Sequence, residues 1–394
     1  MDPYTSIAVH HKLICDRQRM DAYRLAISES VKPGDVVLDI GCGTGVLGLM
    51  ACQAGAKRVY AVERTDIIEV AREMAKTNHV ARRMRFLHGD ADSIALPEPV
   101  DVIVSELISK AVLGQRMEEL LARARKQFLK PGGIVIPVDT EFRVAPVEEE
   151  SAYGVLEPPD SREYGIDFSV VRNLMLNNIM ALRANPGGLL APDQVAYRVE
   201  AENLAGSSHP RARLVFRVQR PGRLHGFCGW FTARLSERVR LDATPPGLMS
   251  WDNVLYPLPR PVAVEPGMTV DLDLRGVQPP SGGAIWHWST RVQRGRRQVA
   301  VFAQSTFRGS MVARRTLLRS RPTTKPALSG WGEIERAILC GCDGESSIRQ
   351  IAERVMDAFP GIFSSREQAE DVIQGVLFDR TGPAALAEDQ RKPT

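Results

Sequence analysis

Residues 35–137 alternate between short apolar runs and longer amphipathic segments. The apolar runs are rich in branched residues, as in buried parallel strands, and the amphipathic segments have the period of helices. The predicted strands are Asp35–Ile40, Arg58–Val62, Met84–His88, Val100–Ser105 and Ile134–Pro137. The predicted helices are one with Leu13, Met20, Tyr23 and Ile27 on one face, then Val46–Gln53, Asp66–Asn78 and Gln115–Phe128, which ends at Lys130-Pro131-Gly132-Gly133. This alternation predicts an α/β fold with a doubly wound, Rossmann-like parallel sheet.

The pattern changes after residue 141 to short alternating runs separated by Pro and Gly clusters. The clearest runs are Arg213–Val218, Leu224–Thr232, Thr269–Leu274 and Trp286–Val292. Alternation with a period of two predicts an antiparallel β-barrel or sandwich. Between the two regions, Phe168–Arg183 has the pattern of a helical insertion.

The C-terminal region has a third pattern. Residues 321–329 are rich in Pro, Thr and Ser and predict a linker. Three short amphipathic helices are predicted after it, at Trp331–Cys340, Ser347–Phe359 and Ser365–Phe378. We therefore divide the chain into three domains: 1–141 with the parallel sheet, 142–321 with the β-barrel and a helical arm at about 164–185, and 322–394 with the linker and a small helical domain.

The composition is that of an ordinary globular protein. The chain has 394 residues, 44% hydrophobic and 25% charged, with a formal net charge of +4. These values exclude disordered, collagen and coiled-coil classes. The longest apolar stretch, Ile40–Cys52, contains four glycines and is too short to span a bilayer. Because the N-terminus also lacks the apolar core of a secretory signal, we expect a cytoplasmic protein without a membrane anchor.

Charge is unevenly distributed along the chain. Residues 291–321 carry nine arginines and no acid, whereas residues 331–394 carry twelve acids against seven bases. The basic segment suits an anionic partner, either an acidic peptide segment or RNA, or else its arginines alternate along strands and form a solvated face. Six cysteines and seven histidines show no complete set of ligand spacings, so we expect reduced thiols and no metal.

The candidate ligand site is the glycine-rich turn Gly41–Gly45, which follows the first predicted strand. Glycines let the backbone approach a ligand closely, and the next helix N-terminus offers free N–H groups. Asp39 precedes the turn, and Glu63 ends the second strand, where a carboxylate can accept both hydroxyls of a ribose. The chain has no G-x-x-x-x-G-K-[ST] phosphate loop, which argues against an NTPase.

The stretch VLDIGCGTGVLGLMACQAGAKRVYAVERTDI resembles class I S-adenosylmethionine-dependent methyltransferases, and within them the protein arginine methyltransferases. The resemblance runs from about Tyr4 to Asp273 and implies S-adenosylmethionine as cofactor and S-adenosylhomocysteine as product. In the segment HHKLICDRQRMDAYR, the resemblance implies that Arg19 binds the methionine carboxylate of the cofactor. It also places Asp92 at the adenine amino group of the cofactor. The residues that it assigns to the cofactor are Arg19, Asp39, Gly41, Gly43, Gly45, Glu63, Asp90, Ala91, Asp92 and Glu106.

The resemblance also implies how the chain assembles. Tyr164–Ser169, YGIDFS, resembles the segment that leads into the family's dimerisation arm, and residues 190–320 correspond to its β-barrel. A homodimer is therefore expected.

The substrate pocket departs from the family pattern. In arginine methyltransferases a hairpin after strand four carries two glutamates nine positions apart, which clamp the guanidinium. Glu106 matches the first glutamate, but Gln115 stands at the second position. One carboxylate plus one amide matches a neutral group that offers both N–H and C=O, which favours the side-chain amide of Asn or Gln as target. Alternatively Glu118 or Glu119 replaces the missing charge and the target is arginine.

The family resemblance assigns roles to individual residues. We predict Glu106, Gln115 and Tyr4 as catalytic residues. Trp251 and Glu118 are predicted to bind the substrate, Trp251 because Met249-Ser250-Trp251 resembles a degraded form of the family's Thr-His-Trp element.

Two other functional classes can be weighed on the same residues. Ser105-Glu106-Leu107-Ile108 lacks the Asn/Asp-Pro-Pro-aromatic motif of enzymes that methylate nucleic-acid amino groups, which argues against a nucleic-acid partner. A non-catalytic, cofactor-dependent peptide-binding protein is the alternative of another class. The presence of Arg19, Asp39, Glu63 and Glu106 argues against that alternative.

Residues 334–359, IERAILCGCDGESSIRQIAERVMDAF, resemble the helical part of PqqD-like domains. Such domains hold the leader segment of a precursor peptide in ribosomal peptide natural-product pathways. The resemblance implies a ribosomally made precursor peptide as substrate, bound in part by its leader. The alternative is a generic three-helix cap without a binding role.

Overall fold

A computed structural model describes residues 3–108, 117–159, 161–201, 209–247, 250–277, 284–311 and 327–380, and also positions 313, 314, 318, 323 and 325. The chain divides into two units, Met1–Met311 and Val312–Thr394. None of the helices in the part that the structure describes is long and apolar enough to cross a membrane.

The first unit begins with a five-stranded parallel sheet. Its strands are β1 (Val36–Ile40), β2 (Arg58–Glu63), β3 (Met84–His88), β4 (Val100–Ser105) and β5 (Leu129–Ile136), in the order β3-β2-β1-β4-β5. Its helices are α1 (Ile7–Cys15), α2 (Arg17–Ser30), α3 (Val46–Gln53), α4 (Ile68–Thr77) and α5 (Met117–Phe128). Every residue of β1 is buried, as expected for a strand covered on both faces. The strand order reverses beside β1, which opens a crevice at the carboxyl ends of β1 and β4.

Two details of the parallel-sheet half of the first unit differ from the prediction. The N-terminal segment forms two helices instead of one, because the side chain of Asp16 accepts the Arg19 backbone N–H at 3.2 Å and so starts α2. Residues 130–133 lie within β5 instead of ending the helix before it. Lys130 Nζ lies 2.8 Å from both carboxylate oxygens of Asp101 in β4, and a register shift between Val100 and Val102 accommodates the extra residues.

The rest of the first unit is antiparallel. Its strands are β6 (Asp139–Val147), β7 (Met180–Leu182), β8 (Gln194–Glu200), β9 (Arg211–Arg217), β10 (Gly222–Arg234), β11 (Arg240–Asp242), β12 (Asn253–Val264), β13 (Thr269–Val277), β14 (Ile285–Arg294) and β15 (Arg297–Ser305). One sheet has the order β7-β12-β10-β6-β8 with β11 beside β10, and the other has the order β15-β14-β13-β9. Buried and exposed residues alternate along β9 and β14, which confirms the fold class predicted from the period of two.

Short helices precede β7. They are α6 (Glu150–Gly154), α7 (Ser161–Tyr164) and α8 (Ser169–Met175). The prediction of one helix over 168–183 was therefore wrong in its second half, where β7 pairs with β12. Sequence analysis also missed β12, whose Pro257, Pro259 and Pro261 are typical strand breakers. These prolines lie where the register against β10 shifts, and a strand tolerates proline at such irregularities.

The second unit contains three helices among residues 327–380, α9 (Gly330–Cys340), α10 (Ile348–Ala358) and α11 (Arg366–Arg380). They lie where the sequence predicts them. Ser347 and Gln350 form a reciprocal capping box at the start of α10. The core of this unit includes Ile338 and Ile351. The boundaries predicted at 141 and 321 stay predictions; the first position lies within β6.

Candidate active site

A cavity of about 950 Å³ lies at the carboxyl ends of the parallel strands, in the crevice beside β1. Its wall is formed by Tyr4, α1, Arg19 of α2, the turn after β1 with the start of α3, the end of β2, the residues after β3 and β4, and Leu120 of α5. Ser250 and Trp251, which precede β12, complete the wall. The cavity therefore joins the parallel half of the unit to the antiparallel half.

Glycines form the floor of the cavity. Gly41 and Gly43 have φ values of +69° and +52°, a region that side chains rarely adopt. A Cβ on Gly41 would lie 2.8 Å from the Leu107 side chain, and one on Gly43 would lie 2.7 Å from the His10 ring. The turn thus needs glycine both for its conformation and for the close approach of the opposite wall.

Glu63, at the end of β2, is a fixed carboxylate in the wall. Its Oε2 accepts the Gly43 backbone N–H at 3.1 Å, and its Oε1 accepts the backbone N–H and the hydroxyl of Thr65, both at 2.9 Å. A carboxylate has about four acceptor positions, and three are occupied here, two on Oε1 and one on Oε2. The position that remains, on Oε2, fits one ligand hydroxyl, whereas the sequence predicts that Glu63 accepts both hydroxyls of a ribose.

Arg19 and Glu106 form a buried ion pair across the cavity. Arg19 Nη2 and Nε lie 2.7 and 3.2 Å from Glu106 Oε2, and each side chain is 9% exposed. The guanidinium carbon of Arg19 lies 5.9 Å from the ring centroids of both Tyr23 and Trp251. Burial raises the pKa of Glu106 although Arg19 opposes that shift. Glu106 is thus a partly neutralised carboxylate that accepts a proton more readily than an exposed one.

Trp251 lines the cavity beside Arg19 and Ile108. Its Nε1–H donates to the carbonyl of Ile108 at 3.0 Å, and the backbone N–H of Ser250 donates to Asp16 Oδ2 at 2.9 Å. Asp16 therefore joins α2 to the antiparallel half and also caps the helix that carries Arg19. Sequence analysis missed Asp16, although an Asp directly before a helix, three residues from Arg19, is a recognisable N-cap.

His10 is a second residue that sequence analysis missed. It is buried, lines the cavity, and its Nε2 lies 2.9 Å from the carbonyl oxygen of Tyr4. The spacing of the histidines along the chain bears only on metal binding, whereas the ring of His10 packs on Gly43 and holds the segment with Tyr4 over the turn. Only the folded chain shows that this ring lies on the side of α1 that faces the cavity.

The structure brings most of the predicted site residues together. Those that line the cavity are Tyr4, Arg19, Gly41, Gly43, Glu63, Asp90, Ala91, Glu106 and Trp251. Gln115 and Met249 lie outside the described residues, and so does the side chain of Glu118.

Three residues assigned to the cofactor do not line the cavity. Asp39 faces α3, where its Oδ2 accepts the Gly48 N–H at 2.9 Å, and its Oδ1 has no partner among the described residues. Burial raises the pKa of Asp39 to about 7. Gly45 starts α3 and faces Ala71, and Asp92 forms an ion pair with Arg123 at 3.0 Å. Direct contact of these three residues with a cofactor therefore stays a prediction.

The glycine turn after β1, the carboxylate that ends β2 and the crevice beside β1 together define a class I S-adenosylmethionine-dependent methyltransferase. A family model described as ribosomal protein L11 methyltransferase (PrmA) matches residues 24–137. Protein arginine N-methyltransferase 6 of Xenopus tropicalis is 32% identical over 282 residues, which cover 66% of this chain and 81% of that protein. The chain belongs to the protein arginine N-methyltransferase family.

Other relatives and structures agree with this assignment. A probable protein arginine N-methyltransferase 6 of Arabidopsis thaliana is 32% identical over 241 residues, 59% of this chain and 55% of that protein, so the match spans about half of the relative. Arabidopsis thaliana protein arginine methyltransferase 10 superposes with a TM-score of 0.67 at 23% identity, over 77% of this chain and 98% of that one. The Trypanosoma brucei PRMT1 enzyme–prozyme heterotetrameric complex with AdoHcy gives 0.69 at 22% identity, over 77% and 99%. These structural likenesses confirm the predicted fold.

The protein is accordingly an N-methyltransferase that uses S-adenosylmethionine and releases S-adenosylhomocysteine. The residues at the cavity fit this cofactor: Glu63 would accept a ribose hydroxyl, the turn Gly41–Gly43 would permit close approach, and Arg19 would offer a cation for the carboxylate. The cofactor supplies an electrophilic methyl group on its sulfonium. The chain would supply position and burial, and Glu106 is a carboxylate in the wall of the same cavity.

Proposed function

We propose that this enzyme methylates a guanidinium nitrogen of arginine in a peptide or protein, instead of the side-chain amide that the pair Glu106 and Gln115 favours. The observation that carries the proposal is the buried carboxylate of Glu106 at the cavity wall. It already accepts a guanidinium, that of Arg19, through one of its oxygens. The relatives that match over most of their length, which are named as arginine N-methyltransferases, support the same target.

Glu106 has two tasks in this mechanism. It orients the substrate by accepting an N–H of the guanidinium, so that the lone pair of the reacting nitrogen faces the methyl group. After transfer that nitrogen carries an extra proton, and a carboxylate with a raised pKa accepts a proton more readily. Trp251 and Ile108, joined by a hydrogen bond, shield this place from water.

Peptides that differ at one residue test the target. The wild-type enzyme is incubated with labelled cofactor and four peptides that carry Arg, Lys, Asn or Gln in the same flanking sequence, and fragment mass spectrometry locates the methyl group. Methylation of the Arg peptide alone supports the proposal. Methylation of the Asn or Gln peptide contradicts it and restores the side-chain amide as the target.

Gln115→Glu gives an independent test of the same question. With an arginine target the change supplies a second carboxylate for the guanidinium, and turnover of the Arg peptide should hold or rise. With an amide target the second carboxylate would face a carbonyl oxygen, and activity should collapse. Gln53→Glu makes the same charge change at an exposed position at the end of α3 and serves as the control.

We also propose that the enzyme forms a homodimer through the segment 164–171. Tyr164, Ile166, Val170 and Val171 are each more than half exposed, and exposed apolar clusters of this kind mark interaction surfaces. Light scattering should give a dimer for the wild type and for Val299→Asp, an exposed control, but a monomer for Val170→Asp. A dimeric Val170→Asp protein would place the interface elsewhere.

We further propose that the second unit binds a segment of the peptide substrate, such as a leader. Its described residues include exposed Leu328, Trp331, Leu339 and Ile362, which is much exposed apolar surface for a small unit. In the full chain, Trp331→Ser should raise KM for a long precursor peptide while KM for a short Arg peptide stays constant, because the short peptide lacks the segment that would bind the second unit. Phe307→Ser is the control, and equal effects on both peptides would contradict the proposal.

A further inference from the structure

The outer face of the sheet β15-β14-β13-β9 is strongly basic. We call its outward-facing side chains, with those of the turns at its ends, the arginine face. Its charged members are the arginines Arg211, Arg213, Arg217, Arg275, Arg291, Arg294, Arg296 and Arg297 and the acids Glu265, Asp271 and Asp273. Eight arginines minus three acids leave an excess of five positive charges, which exceeds the net charge of +4 for the whole chain.

The acids on this face do not neutralise the arginines. Asp273 is shared by Arg275 at 2.8 Å, Arg213 at 3.3 Å and Arg211 at 3.8 Å. One carboxylate therefore faces three guanidinium groups. Arg294 has its own partner in Glu265 at 2.8 Å.

Four further arginines have no ion pair with any residue that the structure describes: Arg217, Arg291, Arg296 and Arg297. They lie on or beside strands whose inner side chains, such as Trp288 and Phe216, are fully buried in the core. The strands therefore hold these guanidinium groups on a rigid surface. An ordinary solvated face carries both signs in similar numbers, whereas this one has eight arginines against three acids.

The other side chains of the face indicate which anion fits. Val215, Asp271, Arg291 and Val301 form one cross-strand row, and both valines are about half exposed. No Phe, Tyr or Trp is among the exposed residues that the structure describes on these four strands, because Trp286 and Trp288 point inward. Single-stranded nucleic acids are usually held by aromatic rings that stack on the bases. The face offers guanidinium groups and small exposed valine side chains instead.

Spacing favours an extended peptide. Side chains on one face of a strand recur every second residue, about 6.6–6.8 Å apart, and an extended ligand segment has the same repeat. Arg211 and Arg213 have this separation on β9, and Arg217 continues the row. A guanidinium binds a carboxylate with two parallel hydrogen bonds, so alternate acidic side chains would meet alternate arginines.

We propose that the arginine face binds an extended acidic segment of a protein or peptide partner, with Asp or Glu at alternate positions and small side chains between them. The site lies on the antiparallel sheet, whereas the cavity is built on the parallel sheet and residues 250–251. Binding there is independent of which nitrogen the enzyme methylates.

Binding is measured on the full chain by fluorescence anisotropy with a labelled peptide of about twelve residues that alternates Glu and Ser, in about 50 mM salt to limit screening. Arg217→Gln, Arg291→Gln and Arg297→Gln are combined in one variant. The affinity should fall at least about tenfold, because three charged contacts are lost. The matched control combines Arg82→Gln, Arg85→Gln and Arg238→Gln, which are exposed and unpaired among the described residues, and should bind like the wild type.

Two further measurements test the sign of the charge and the class of anion. The same three arginines of the face replaced by Lys should retain most of the binding, and replaced by Glu should bind a Lys-Ser peptide instead of the Glu-Ser peptide. A single-stranded RNA of equal charge tests the other class of anion. Equal affinity of the two triple-Gln variants, or RNA that binds more tightly than the peptide and competes with it, would overturn the proposal.

Discussion

The two units differ in what they bury. The first unit encloses Arg19, Asp39, Glu63 and Glu106, all less than a tenth exposed, around or behind one cavity. In the second unit, the buried side chains among residues 327–380 are all apolar, and Ile338 and Ile351 belong to that core. Among the described residues, charge in the interior is thus confined to one of the two units.

Physical chemistry gives this difference a meaning. Removing a charged group from water is costly unless a partner compensates, so a stable fold alone gives no reason to bury four such groups. Groups with perturbed ionisation, here Arg19, Asp39 and Glu106, concentrate where chemistry needs them. The first unit therefore holds the reaction, and the second obtains its stability from apolar packing and helix caps. Four experiments test this contrast.

The largest effect is expected for Glu106→Gln. In the proposed mechanism Glu106 accepts the proton and orients the substrate, so its replacement should lower kcat by roughly 10²–10⁴. Methyl transfer to an accepted peptide is measured by mass spectrometry, and calorimetry checks that cofactor still binds. Glu69→Gln, on the exposed surface of α4, is the control. Activity within about threefold of wild type would remove Glu106 from the mechanism.

Asp39→Asn should change how stability depends on pH. In the folded protein burial raises the pKa of Asp39 from about 3.8 to about 7. Above pH 4 the unfolded chain loses this proton while the folded chain keeps it, so rising pH destabilises the wild type until about pH 7. Between the two pKa values, the free energy of unfolding should fall by at most about 4 kcal/mol.

Calorimetry of the cofactor-free protein between pH 5 and 8 measures this effect. The melting temperature of the wild type should fall with pH relative to that of Asp39→Asn, and the difference should level off above pH 7. Asp21→Asn, which changes an exposed carboxylate, should keep the wild-type profile. Parallel profiles for wild type and Asp39→Asn would show that this carboxyl ionises normally.

Glu63→Ala should lower the affinity for the cofactor at least about tenfold, since a charged hydrogen bond contributes on the order of 1.5–3 kcal/mol. The variant also loses the acceptors of Gly43 and Thr65, so the turn loses its support. Titration calorimetry with S-adenosylhomocysteine measures the affinity. Glu73→Ala on α4 is the exposed control. Unchanged affinity would refute the assignment of Glu63 to the cofactor.

The smallest effect is expected in the second unit. Ser347→Ala removes the capping box of α10 and should destabilise that unit by about 1 kcal/mol. Hydrogen exchange of the α10 amides measures the loss, and Ser346→Ala, directly before the cap, is a neighbouring control. Turnover of a short Arg peptide should stay constant. A large loss of turnover would show that the two units are not separate in function.

Local sequence determined much of this protein. The parallel strands were predictable because each is an apolar run that ends at a turn, and strand length places Glu63 and Glu106 at carboxyl ends on one edge of the sheet. The helices of the second unit were predictable from residues that start and stop helices: Ser347 starts one of them, and Pro360-Gly361 follows its end. Family resemblance added Arg19, which lies in a helix without any local sign of its partner.

Only the tertiary structure decided which of these residues meet. Arg19 and Glu106 are 87 positions apart, and Trp251 and Ile108 are 143 apart, so no local pattern encodes either contact. For Asp39, the local sequence predicts its position near the end of β1. It does not predict that the side chain faces α3 instead of the cavity. Strand ends follow from neighbouring residues along the chain, whereas an ion pair depends on how distant segments pack, and packing is a property of the whole fold.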